Sequence, residues 1–241
     1  FEPQIKKILG SIPAANKYQT VMFTATWPKA VQKLSASYLT SPVQISIGKS
    51  ATQLTVNKDV TQVFEKVANN DKEDKLLEVL NAIENPDAAS VIVFANKKYK
   101  CDHITKGLNG EGWKSVAIHG DKEQWERQKA LERFTRGEVK IIVATDVAAR
   151  GLDIKGVSHV INFDFPDNGV EDWVHRVGRT GRAGAKGVAW TFFNVADDRK
   201  SGRELCTVLK DAKADIPDWL QALGNSAKGN GKSRWASWGG G

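Results

Sequence analysis

Cysteine is scarce in this sequence: Cys101 and Cys206 are the two in 241 residues, far apart and in no CxxC spacing. That excludes a disulfide framework and a cysteine-built zinc site, and fits two reduced thiols in a nuclear or cytoplasmic protein. Long hydrophobic runs are missing as well. No apolar stretch approaches the ~18 residues of a membrane-spanning helix, so no membrane partner is expected. No secretory leader is visible, and the chain opens on Phe1 rather than Met, which points to a truncated or processed start. A phosphate-binding P-loop is also lacking. Gly48-Lys49-Ser50 and Gly231-Lys232-Ser233 carry Val43 and Ser226 where that loop's first glycine must stand. No repeat of solenoid type occurs.

What is present is ordinary for a globular protein, with 41% hydrophobic and 26% charged residues. The net charge is +7, of which residues 224–241 hold +3 through Lys228, Lys232 and Arg234. Mild basicity fits a polyanionic partner without requiring one.

Short β-branched runs alternate with longer amphipathic ones. The pattern predicts strands at Thr20–Phe23, Val43–Ile47, Val91–Ala95, Ser115–His119, Ile141–Ala144, His159–Phe163 and Val188–Phe193. It predicts helices at Pro28–Tyr38, Lys72–Ile83, Lys98–Gly107, Lys122–Thr135, Val170–Gly178 and Asp197–Lys210. Alternation of this kind implies an α/β fold, a doubly wound parallel sheet covered on both faces. Residues 57–223 suffice for one such domain. Residues 1–48 hold too few elements to cover a sheet and read as the end of a preceding domain. Residues 49–56 read as a linker, and 224–241 as a disordered basic Gly/Ser/Trp tail.

Three constellations carry chemistry. In His175-Arg176-Val177-Gly178-Arg179-Thr180-Gly181-Arg182 the arginines stand three apart. A helical segment would stack them along one side, and the repulsion calls for a compensating anion. Planar guanidinium forks suit phosphate oxygens, and Gly178 and Gly181 let a phosphate or another backbone come close. The competing reading is a solvated basic helix face.

The second set, Ala144 to Ile154, starts where a buried strand ends, the usual ligand-binding end of a parallel sheet. Thr145 offers a hydroxyl, Gly151 an open backbone and Asp153 an acceptor suited to a ribose hydroxyl. Taken alone, Asp146 could be a helix N-cap and Arg150 a surface charge, but their packing into eleven residues favours the ligand-binding reading. In the third set His119-Gly120-Asp121 closes a strand, and Gln124 and Arg127 follow at the positive end of a helix. Capping by Asp121 is the alternative there. Trp125 fits either an extended ligand surface or an incidental exposed aromatic. Trp235 and Trp238 in the tail stand in the same position.

Together these motifs resemble the C-terminal lobe of DEAD-box RNA helicases, over residues 1 to about 223. Arg150-Gly151-Leu152-Asp153 and the 175–182 segment carry most of the resemblance. Thr24-Ala25-Thr26 is similar to the family's Ser-Ala-Thr motif. The resemblance implies a RecA-like lobe preceded by the C-terminal remnant of the ATP-binding lobe. It implies that Arg179 and Arg182 are arginine fingers, assisted by His175. It places Asp153 and Gly151 on ATP, and Gly120, Gln124, Arg127, Thr145 and Gly151 on the RNA backbone. Thr24, Thr26 and Arg176 fall in the set coupling nucleotide to RNA, and Phe94 supports the arginine segment. ATP with Mg²⁺ would be held mainly by the other lobe, because the P-loop and the Asp-Glu-Ala-Asp sequence are absent here. The expected partners are RNA, ATP and ribonucleoprotein components. The complete protein is expected to be a nuclear or cytoplasmic ATP-hydrolysing helicase, and this chain alone inactive. A stand-alone RNA-binding module and a related DNA helicase lobe remain as alternatives.

Overall fold

The structure is a computed structural model and describes residues 2–12, 18–24, 27, 29–45, 54–149, 154, 156–182 and 184–226. The chain divides into two compact units, Phe1–Leu54 and Thr55–Gly241.

Among its described residues the first unit holds two helices, α1 (Glu2–Gly10) and α2 (Lys29–Tyr38). Residues 20–23 and 43–45 form no strand, contrary to the sequence expectation, and residues 46 and 47 lie outside the described residues. A strand needs a ladder partner, and among the described residues of this unit there is none. Phe23 and Val43 are accordingly almost wholly exposed.

The second unit is built on strands β1 (Val60–Lys66), β2 (Val91–Phe94), β3 (Ser115–Ile118), β4 (Ile141–Ala144), β5 (His159–Asn162) and β6 (Gly187–Phe193). They form one sheet in the order β1-β6-β5-β2-β4-β3, with every pairing parallel. β2 and β4 are the near-continuous apolar runs Val-Ile-Val-Phe and Ile-Ile-Val-Ala, and all eight residues are buried. Helices separate the strands: α3 (Lys72–Asn81), α4 (Lys98–Gly110), α5 (Gln124–Thr135), the single turn α6 (Asp146–Ala149) and α7 (Val170–Val177). After β6 come α8 (Val195–Asp198), α9 (Gly202–Asp211) and α10 (Asp218–Ser226).

Strand alternation sends side chains to two faces. Val91, Val93, Ile141, Val143 and Ile161 pack in one cluster with Leu76 and Leu80 of α3 and Ile104 and Leu108 of α4. Elsewhere in the core Trp173 of α7 is fully buried; its ring lies 5.8 Å from Phe64 and its Nε1 donates to Thr191 Oγ1 at 3.0 Å. Both cysteines are free and buried. Burial, with the charges of Asp102 and Asp164, pushes the Cys101 thiol up to about 12, so it stays protonated.

Further elements depart from the sequence reading. β1 was not expected, because Thr61, Gln62 and Glu65 break its apolar pattern; as an edge strand it buries only Val60 and Phe64 fully. α1, α6 and α10 likewise have no counterpart among the expected ranges. The helix expected at Asp197–Lys210 is interrupted by a 3-10 turn at Arg199–Ser201, after an α8 capped by the Asn194 side chain, which accepts from Ala196 N. α10 runs three residues into the expected tail because Gly224 lets it lie close on α9. A Cβ at Gly224 would stand 2.9 Å from Cys206 Sγ. Gly224→Ala should therefore destabilise the unit by about 1 kcal/mol, a mid-range overpacking cost of about 2 less a helix-propensity gain of about 1. A urea titration would measure it, and an unchanged midpoint would refute the close packing.

Candidate functional site

The C-terminal ends of β5, β2 and β4 lie side by side, and one side chain ties them together. Arg176, in the last turn of α7, is 1% exposed. Its Nε and Nη2 donate to Oδ1 and Oδ2 of Asp146, both at 2.6 Å, a bidentate pair reaching the loop after β4. Nη2 also donates to Asn96 Oδ1 after β2 (2.7 Å), and Nη1 to the Asp164 carbonyl after β5 (2.6 Å). The guanidinium lies 5.2 Å from the Phe94 ring centroid. Asp146 is therefore this arginine's counter-ion rather than a simple helix cap.

Asp164 anchors the same corner from the other side. Its carboxylate accepts from Lys72 Nζ (2.9 Å), Lys100 Nζ (3.1 Å) and the Asn96 amide (3.2 Å). Burial raises this carboxyl's pKa, but Lys72, the Asn96 amide and Lys100 outweigh it and hold the group below the ordinary carboxylate range. A depressed folded-state pKa adds stability that is full above the unfolded value, about 3.9, and fades as pH falls through the folded value. Asp164→Asn should be less stable than the parent at neutral pH, by about 2–3 kcal/mol for leaving Lys72 buried and unpaired. The gap should narrow below about pH 4. Thermal melts from pH 7 to 3 would check this, and a gap that widens in acid would refute it.

Beyond α7 the arginine segment leaves the helix. Arg176, Arg179 and Arg182 do not form one helical stripe, because α7 ends at Val177, one residue short of the end read from the sequence. Thr180 is buried, and its hydroxyl donates to the Val157 carbonyl at 2.7 Å. Gly181 sits at φ +68°, where an added Cβ would collide with Val60, and its carbonyl accepts from Asn57 Nδ2 at 2.5 Å. This glycine serves close packing on the residues leading into β1. Arg179 is half-buried and His175 partly exposed, with Nε2 3.9 Å from Glu171 Oε1. Arg182 is exposed; its Nε donates to the Gly178 carbonyl at 2.8 Å, and its Nη atoms make no bond among the described residues.

The third constellation lies beyond the ends of β3 and β4. Gly120 is exposed, and Thr145 is nearly buried beside β3, with its amide on the Ile118 carbonyl (3.3 Å). Arg127 donates to Gln124 Oε1 (3.1 Å) and to the Ala148 carbonyl (3.3 Å), joining the first turns of α5 to α6. Asp121 does not cap α5; it pairs with Lys98 at 2.5 Å, and α5 starts two residues later than expected, with Glu126 Oε2 on the Glu123 amide. The loop is strapped to α4 a second time through Asp102, which binds His119 Nε2 (3.0 Å) and Lys122 Nζ (2.9 Å). Burial raises the Asp102 pKa, but those two bonds outweigh it and hold the carboxyl below its ordinary value.

Residues 71–184 match the helicase conserved C-terminal domain family. The chain is 45% identical over 230 residues to the ATP-dependent RNA helicase DBP2 of Lodderomyces elongisporus, covering 95% of this chain and 41% of that protein. It thus spans about two fifths of the length of the curated relatives it matches. Among solved structures it resembles Saccharomyces cerevisiae Dbp5 bound to RNA and ADP BeF3, with a TM-score of 0.73, 27% identity, and coverage of 94% of this chain and 58% of that one. It also covers 98% of the C-terminal domain of the DEAD-box protein Dbp5, using 71% of its own length, at 31% identity and a TM-score of 0.56. The chain belongs to the DEAD-box helicase family.

Its sheet is the RecA-like α/β fold of the DEAD-box structures. Of the DEAD-box site residues expected from sequence, His175, Arg176, Arg179 and Arg182 lie in one segment, and Gly120, Gln124, Arg127 and Thr145 meet at the ends of β3 and β4. Thr24 lies in the first unit and is exposed. Thr26, Gly151 and Asp153 lie outside the described residues. The sequence reading missed Asn96, Asp164, Lys72, Lys100 and Asp102. Each is a single polar residue next to an apolar strand or within a helix, and its partner is far away in the chain. Among the described residues, no group of three His, Cys, Asp or Glu is placed to hold a metal ion. No helix among them is long and apolar enough to cross a membrane.

Proposed function

We propose that this chain is the RNA-gripping, arginine-finger lobe of an ATP-dependent RNA helicase. The observation that carries the reading is the division of labour within 175–182. Arg176 is spent on internal bonds, whereas Arg182 is exposed with its Nη donors unengaged among the described residues. An exposed guanidinium held by its Nε on a backbone carbonyl keeps its Nη donors open for a phosphate oxygen. Arg179, three residues earlier in the same segment, would act with it, and His175 would pass the nucleotide state on. Asp153 and Gly151 would take the ATP ribose.

The fit to ATP is that of half a site. This chain supplies guanidinium groups but no P-loop, and its described residues hold no carboxylate cluster for Mg²⁺. ATP and Mg²⁺ would rest mainly on the other lobe, and this chain's part is to neutralise the charge that develops during phosphoryl transfer. Gly120, Gln124, Arg127, Thr145 and Gly151 would hold the RNA sugar-phosphate backbone. Such contacts carry little sequence preference and a strong salt dependence.

Joining this chain to the N-terminal part of a DBP2-type helicase should give an ATPase stimulated by RNA and much less by DNA. The chain alone should bind single-stranded RNA without turning over ATP. Turnover by the chain alone, or equal stimulation by DNA, would refute the reading.

A further inference from the structure

Trp125 has no part in the site described so far, yet it lies on the first turn of α5, between Gln124 and Arg127. It is 66% exposed. Lys129 and Arg133 follow four and eight residues on, on the same helix face. These three side chains line one side of a groove of about 400 Å³, and Val116 and Ala117 of edge strand β3 line another.

The cations of this groove are available. Lys129 is exposed and makes no hydrogen bond or ion pair among the described residues. Arg133 approaches Glu138 only at 3.6 Å, with both side chains about half exposed. The nearby Glu126 is occupied by the Glu123 amide, and Lys122 and Asp102 neutralise each other. An exposed indole beside a lysine without an ion-pair partner among the described residues and a loosely paired arginine is the combination by which single-stranded nucleic acid is bound, with bases on aromatic faces and phosphates on Lys and Arg.

A peptide adding to the β3 edge is the competing occupant, and the backbone argues against it. The Lys114 and Ile118 carbonyls accept from Ile141 and Thr145, so Val116 also faces β4, and Ser115 and Ala117 face outwards. Asn109 already closes Ser115, accepting from its amide (2.9 Å) and donating to its carbonyl (3.3 Å). The His119 carbonyl accepts from the Lys122 amide. Only Ala117 is left open, and strand addition needs a row of such positions.

We propose that α5 carries a second RNA site, in which one base stacks on Trp125 and its flanking phosphates lie against Lys129 and Arg133. The strand gripped by Gly120, Gln124 and Arg127 would continue into this groove. The inference rests on the RNA reading above, and its test separates the two.

The whole chain would be titrated with single-stranded RNA at several salt concentrations, as parent, Trp125→Ala, Trp125→Phe, Lys129→Ala and Arg127→Gln. Trp125→Ala should lose about tenfold in affinity, and Trp125→Phe should keep most of it. Lys129→Ala should lower the slope of log K against log salt by ~0.7. Parental affinity and slope in Trp125→Ala and Lys129→Ala, with Arg127→Gln weakened, would overturn this site and leave the backbone site standing. A weakened Trp125→Ala with a parental Arg127→Gln would do the reverse. A parent chain that binds no RNA would overturn both. Melting curves would confirm that the exposed substitutions leave the fold intact.

Discussion

Arg176→Met is expected to destabilise the second unit by about 3–5 kcal/mol, the usual cost of removing one partner of a buried ion pair. The loss exceeds that of one hydrogen bond because four acceptors lose their donor together. The Asp146 carboxylate, the Asn96 side chain and the Asp164 carbonyl follow three different strands, and this guanidinium binds all of them at once. Methionine fills the space over Phe94 but satisfies none of them. For a unit of this size the melting temperature should fall by roughly 10 °C. Lysine should rescue poorly, since one ammonium cannot span a bidentate carboxylate and two further acceptors at once. An unchanged melting temperature in Arg176→Met would refute the assignment of Arg176 as an internal tie.

Arg182→Ala should give the opposite profile. Its side chain is exposed and its only bond among the described residues is to the Gly178 carbonyl, so stability should change by less than about 0.5 kcal/mol. In the two-lobe enzyme described above, RNA-stimulated ATP hydrolysis should fall by ~10³–10⁵, the range of an arginine finger. Weak nucleotide binding should survive, because the finger acts on the transition state. Measuring turnover and melting temperature on the same samples separates the roles: Arg176→Met should lower the melting temperature, and Arg182→Ala should lower turnover alone. Retained turnover in Arg182→Ala would remove it from the catalytic site.

Much of the fold is legible in the chain. β2 and β4 are the longest β-branched runs, and such runs belong at the centre of a parallel sheet. β3, β5 and β6 follow from the same rule, and α3, α4, α5 and α7 from helical periodicity. β1 is less legible because an edge strand has one neighbour and tolerates Thr61, Gln62 and Glu65. The apolar segments at 20–23 and 43–45 show the converse. Their residues favour strands, but propensity cannot supply a ladder partner.

For the candidate site, the sequence by itself singled out two segments. Arginine spaced by glycine, and Gly120 followed by Gln124 and Arg127, gather groups whose chemistry suits phosphate. It could not distribute the roles within a segment. Three arginines at equal intervals look equivalent along the chain, and a helix running through all of them would stack them evenly. The tertiary structure decided otherwise: α7 stops at Val177, so Arg176 turns into the sheet ends and Arg182 out to solvent. The partners that hold Arg176 lie 30 residues away at Asp146 and 80 at Asn96. Periodicity reports only neighbours on one element. Whether a charge becomes an internal tie or a ligand contact is set by which strands end beside it, and that is known only once the sheet has assembled.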